Sequence, residues 1–174
     1  IPKERVAVLI GKAGKIKKKL EEDTESRIEI DSHEGDVFVT GKDALKIFTC
    51  REIIHAVGRG FNPDIGMQLL KQDYVLEILS IADYARNKND EGRLKGRVIG
   101  AEGKSRSIVE ELTETNICVY GKTVSIIGEA YNVSVAKRAL ESLLNGSMHA
   151  KVYKWLEQQR RKGKTQEMED ATKS

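Results

Sequence analysis

The chain repeats itself, and that repeat constrains the fold more than any other feature. The hexapeptide Ile10-Gly11-Lys12-Ala13-Gly14-Lys15 returns as Ile99-Gly100-Ala101-Glu102-Gly103-Lys104, with the isoleucine, both glycines and the last lysine coinciding. At the same offset Glu21-Glu22 meets Glu110-Glu111, Thr24-Glu25 meets Thr113-Glu114, and Ile28 meets Ile117. A turn two residues shorter in the second copy then sets Gly41 against Gly128. A register kept over this length marks a duplicated unit. It divides the 174 residues into a first domain over 1–72, a second over 73–162 and a flexible tail over 163–174. Each domain has a length that suits a small independent fold.

Each copy reads alike. A short apolar helix (3–10; 91–99) runs into a Gly-x-x-Gly turn, and a second helix follows (15–22; 104–112). Next comes a strand in which Ile28 and Ile30 take one face and Arg27 and Glu29 the other, with Ile117 to Tyr120 as its counterpart. Turn residues lead into return strands at 37–40 and 123–127, and long helices at 42–57 and 130–144 close the copies. An added helix follows each. One begins near Pro63; the other is capped by Ser147 and carries Met148, Val152 and Trp155 on one apolar stripe. Tyr74 to Tyr84 reads as the first strand of copy two. Nothing equivalent stands before Ile1-Pro2, so copy one is expected to have a truncated first strand.

Two glycines let the backbone turn sharply and leave room for another backbone to approach. The turn feeds a helix N-terminus, whose free N–H groups and positive dipole end favour an anion. In both copies the bases stand at that positive end (Lys15, Lys17, Lys18; Lys104, Arg106) and the acids at the other (Glu21, Glu22; Glu110, Glu111). A helix built only for stability would reverse this order; one that holds phosphates would not. The net charge of +3, from 30 basic and 27 acidic residues, names no partner. The clustering of basic residues around both turns says more, although a charge run by itself is usually a solvated face and the context of the turns must decide.

Other chemistries are poorly served. Gly103-Lys104-Ser105 ends like a P-loop, yet Val98 occupies the position of the required first glycine. His33, His55 and His149 have no metal-ligand spacing, Cys50 and Cys118 read as free thiols of a reducing compartment, and no carboxylates converge. No catalytic residue, metal or cofactor is expected. The apolar runs are too short to span a bilayer, and the cytoplasm is the expected location.

The run Val6, Leu9-Ile10-Gly11-Lys12-Ala13-Gly14-Lys15, Leu20, Ile28 and Ile30 resembles the KH domain, and Arg97 to Lys104 with Val109, Ile117 and Val119 resembles it again. The resemblance implies an α+β fold. It consists of two tandem eukaryotic-type KH domains of order βααββα, each a three-stranded sheet covered by helices. The implied function is single-stranded RNA binding, with the loop clamping the backbone of about four nucleotides. The residues implied in the first copy are Gly11, Lys12, Ala13, Gly14, Lys15, Lys17, Lys18, Ile28 and Ile30. In the second they are Gly96, Arg97, Gly100, Ala101, Glu102, Gly103, Lys104, Ser105, Arg106, Ile117 and Val119. A basic residue stands at 17 and 106, where KH domains usually carry an aliphatic one. That feature, the tandem, and the ending from Gly146 to Leu156 resemble the archaeal relatives of the pre-ribosomal KH factor known as the partner of Nob. Such kinship implies small-subunit ribosomal RNA near its 3′ end, and ribosome-assembly or translation initiation factors as partners. Copy two is expected to make the sequence-specific contacts. Two alternatives remain at this point: a protein-interaction scaffold with degenerate KH units, and a translation-related RNA adaptor.

Overall fold

A computed structural model describes all 174 residues, which pack as two units, Ile1–Leu76 and Glu77–Ser174. Unit 1 runs α1 (Lys3–Ile10), α2 (Lys15–Thr24), β1 (Ser26–Asp31), β2 (Asp36–Gly41), α3 (Ala44–Gly58) and a single-turn α4 (Pro63–Gly66). The strand β3 (Tyr74–Ser80) leads into unit 2, which continues α5 (Lys88–Ile99), α6 (Lys104–Thr113), β4 (Asn116–Tyr120), β5 (Thr123–Glu129), α7 (Ala130–Leu144) and α8 (His149–Lys173).

Local chemistry sets the starts and stops. Asp43 caps α3 by accepting from the N–H groups of Leu45 (2.9 Å) and Lys46 (3.3 Å), and Asn87 caps α5 through Asp90 N–H at 2.9 Å. That cap starts α5 three residues before the expected Glu91. α2 and α6 stop where Glu25 and Glu114 turn left-handed, at φ 47° and 53°. A threonine at each of these ends bonds back and forward in the same way. Thr24 Oγ1 donates to Leu20 O, and Thr113 Oγ1 to Val109 O, both at 2.6 Å.

In unit 1, Val6, Leu9, Leu20, Ile28, Ile53 and Val57 are buried between helices and hairpin. In unit 2 the same places fall to Leu94, Val98, Val109, Ile117, Val124, Ile126 and the inner face of α7. Each such aliphatic side chain contributes about 1.5–3 kcal/mol on burial. β1 pairs antiparallel with β2, Ile28 opposite Val39; β4 pairs antiparallel with β5, Ile117 opposite Ile126.

Five expectations are corrected. Unit 2 has a three-stranded sheet, ordered β3-β5-β4, but the sheet of unit 1 has only β1 and β2. No third strand of this chain pairs with β2. Phe48 is 58% exposed, whereas Val135, its counterpart counting from Gly41 and Gly128, is 8% exposed. β3 ends at Ser80, and a 3-10 turn at Ile81–Asp83 replaces the rest of the expected strand. Met148, not Ser147, stands at the start of α8, and no side chain caps it. Met148 is also 69% exposed; the buried stripe is Val152 and Leu156, with Trp155 packed alongside. Residues 163–173, expected as a loose tail, continue α8 as an exposed helix.

Candidate nucleic-acid interface

The two loops have one backbone. Gly11 and Gly100 both sit at φ 74°, ψ 174°, a conformation open essentially to glycine alone. Ala13 and Glu102 are left-handed at φ 53° and 54°, and Gly14 and Gly103 follow at φ 73° and 75°. A β-carbon on Gly100 would meet the backbone nitrogen and Cβ of Ser105 at 2.7 Å, while one on Gly103 would meet nothing within 4 Å. The first glycine is therefore required by packing and the second by conformation. Holding a non-glycine residue left-handed costs about 1–2 kcal/mol, and both loops hold one at the same place. Glu25 and Glu114 repeat such a conformation merely to end helices, so it is the exposed position of Ala13 and Glu102 at a glycine-flanked tip that suits them to a site.

Lys12, Ala13 and Lys15 are exposed around the first loop, and Ala101, Glu102 and Lys104 around the second. α2 and α6 begin directly behind, so the positive ends of their dipoles face the approach, although the N–H groups of Gly14, Lys15, Gly103 and Lys104 already donate to Gly11 O, Lys12 O, Gly100 O and Ala101 O. Lys17 turns toward β1. With Ile10, Arg27, Ile28, Glu29 and Ile30 it lines an open groove of about 500 Å³ between the end of α1, α2 and the strand edge. Lys17 Nζ lies 3.5 Å from Glu21 Oε1. In unit 2 the equivalent Arg106 reaches further, donating to Ile117 O at 3.4 Å, and so spans from helix to strand.

The acids at the ends of α2 and α6 have a structural duty. Glu21 Oε1 accepts the Ile28 N–H and Glu110 Oε1 the Ile117 N–H, both at 2.8 Å. Each carboxylate ties its helix to the outer edge of the neighbouring strand and fixes the width of the groove there. The order of charges thus has a structural cause at Glu21 and Glu110, while Glu22 and Glu111 beside them stay exposed.

Several expected site residues are placed differently. Ile28 and Ile117 are 1% and 3% exposed; their side chains belong to the core and only their backbone edges the groove. Ile30 and Val119 are half-buried further along the same strands, and Val119 packs against the core. Ser105 is buried behind Gly100 with an unpaired Oγ, as volume filler rather than contact. Arg97 is spent on the fold: its guanidinium donates to Leu143 O at 2.9 Å and to Ser147 O, closing the end of α7. Arg5 does the same in unit 1, donating to Val57 O and Phe61 O at 2.8 Å, which the sequence reading missed. Lys18 is exposed on α2 away from the groove lining, and Gly96 is exposed on α5 one turn before the loop. Arg27 and Glu29 were legible only as the strand's outer face; the structure brings them to the groove.

A helix, a glycine-flanked turn, a basic helix and an adjoining strand edge, built twice, define a tandem KH-type nucleic-acid-binding fold. Comparison with known proteins agrees. The eukaryotic-type KH domain (KH-domain type I) matches residues 75–161, and the KH domain matches residues 1–56. A KH domain-containing protein of Methanocaldococcus jannaschii is 51% identical over 166 residues, covering 93% of this chain and 73% of the relative. The pre-rRNA-processing protein pno1 of Aspergillus fumigatus is 31% identical over 65% of this chain, a match that spans 42% of the fungal protein. Among solved structures, the a/eIF2alpha–aDim2p–rRNA complex from Pyrococcus horikoshii has a chain that aligns with a TM-score of 0.87. That chain is 42% identical, with 93% of this chain and 92% of its own length covered. The chain belongs to the KH-domain family, and within it to the archaeal Dim2 and Pno1 group.

Proposed function

We propose that this protein binds single-stranded RNA in ribosome biogenesis, without catalysis. Its ligand is small-subunit ribosomal RNA near the 3′ end, gripped by the loops Gly11–Gly14 and Gly100–Gly103. The observation that carries the reading is the duplicated loop, with the same strained backbone in both units and lysines exposed around it. Each loop offers the positive end of a helix dipole to a phosphate, and the glycines let the sugar-phosphate chain come close. The groove beyond is lined by aliphatic and charged groups, not by rings. Bases there are read by hydrogen bonds at the strand edge and by aliphatic contact. The relatives support the biological setting: one is named for pre-rRNA processing and another was crystallised with ribosomal RNA. That complex also contains a/eIF2alpha, which supports a translation initiation factor as a protein partner and leaves a role as adaptor between the two.

The test replaces the loop centres. Asp is among the residues that accept the left-handed conformation of positions 13 and 102, so Lys12→Asp with Ala13→Asp, and Ala101→Asp with Glu102→Asp, leave the fold intact. Combining both pairs abolishes RNA binding at unchanged melting temperature. In the wild type the affinity falls with salt by about 0.7 log unit per log unit for each phosphate neutralised. Wild-type affinity in the combined variant would sink the clamp.

A further inference from the structure

Unit 2 carries an aromatic pair against the last turn of α5, the helix that delivers its loop. α8 opens at His149, whose Nε2 lies 2.8 Å from the carbonyl oxygen of Arg97. Arg97 is in the last turn of α5, three residues before Gly100. Its own guanidinium grips Leu143 O and Ser147 O, so the α7–α8 turn and the start of α8 are tied to the backbone that delivers the loop. One turn along, Tyr153 meets His149 edge to face, with ring centroids 6.0 Å apart and planes at 62°. Val152 and Leu156 take this helix into the core, at 4% and 1% exposure. His149 and Tyr153 lie on the adjoining strip and stay half-exposed, flanked by the exposed Lys151 and Lys154.

Half-exposed rings flanked by lysines beside a phosphate-binding loop are the parts of a stacking platform for single strands. We propose that His149 and Tyr153 take a base of single-stranded RNA that lies outside the four nucleotides held at Gly100–Gly103, with Lys151 and Lys154 holding its phosphates. The inference rests on the RNA-binding reading above and lengthens the footprint of unit 2. Unit 1 has no counterpart, because α3 is followed only by the single-turn α4 and a 3-10 turn.

The experiment compares the affinities of the full chain for randomised single-stranded RNA tetramers and octamers. Wild type binds the octamer more tightly. Tyr153→Leu loses about tenfold on the octamer and nothing on the tetramer, the range expected for one base stacked on one ring, and Tyr153→Phe binds as wild type. Photocrosslinking of unaltered protein to 5-iodouridine octamers gives adducts within 149–154. Equal octamer affinity for wild type and Tyr153→Leu, or adducts confined to 100–106 and the β4 edge, overturns the platform and leaves the loop clamp standing. Wild type binding neither RNA overturns the RNA-binding reading itself.

Discussion

At the residue scale, the two glycines of a loop are not equivalent. Gly103→Ala meets no neighbour and costs only the left-handed conformation, about 1 kcal/mol. Gly100→Ala drives a β-carbon into the Ser105 backbone, so it costs at least about 2 kcal/mol and tilts α6 against α5. Chemical denaturation of the two variants ranks them, and equal losses would show that the close contact relaxes freely. The same scale explains the helix-end acids. Glu110→Ala leaves the Ile117 N–H without its partner at 2.8 Å and destabilises by about 1–3 kcal/mol, while Glu110→Gln keeps an acceptor oxygen and costs less than half as much. If Gln were as damaging as Ala, charge rather than the hydrogen bond would be holding the strand.

At the element scale, α8 has two halves with different work. Its first two turns are buried through Val152 and Leu156, and Arg138 lies 4.9 Å over the ring of Trp155. From Lys162 onward nearly every residue is exposed, Met168 at 71%. A chain ended after Lys162 should keep its melting temperature within a couple of degrees while its helical circular dichroism falls. A loss of many degrees would mean that Gly163, Lys164 and Glu167, beside Tyr131 and Asn132, contribute packing of weight. The first half was legible as an amphipathic stripe. The second was not, because its low apolar content reads as a tail, while it stays helical by continuing the anchored first half, which supplies the costly helix nucleus.

At the scale of the whole molecule, duplication supplies two loops with unequal surroundings. Unit 1 has Lys12 at its loop and Lys17 paired with Glu21; unit 2 has Glu102 at its loop and Arg106 reaching the strand carbonyl of Ile117. On the proposed RNA-binding reading, Arg106, held at the strand edge, would meet bases, and the exposed lysines of copy one would offer charge alone. Arg106→Ala should therefore weaken binding of a preferred RNA sequence more than of a scrambled one, and Lys17→Ala should weaken both about equally. Competition binding with the two RNAs measures this, and the opposite pattern would assign sequence reading to unit 1.

The repeat, both loops, the order of elements and the clustering of bases could be read from the residues alone. These rest on glycine geometry and hydrophobic period, which act within about ten residues of chain. Tertiary structure decided which residues near the loops are free to touch a ligand. Arg97 is claimed by carbonyls of the α7–α8 turn, 46 and 50 residues away, and Ile117 is drawn into the core by burial. Only the docking of α8 brings His149 to the last turn of α5, with Tyr153 against its ring, since packing of an apolar stripe sets which side of a helix meets its neighbour. A side chain's type is fixed by the sequence; its availability depends on partners that the fold brings from far along the chain.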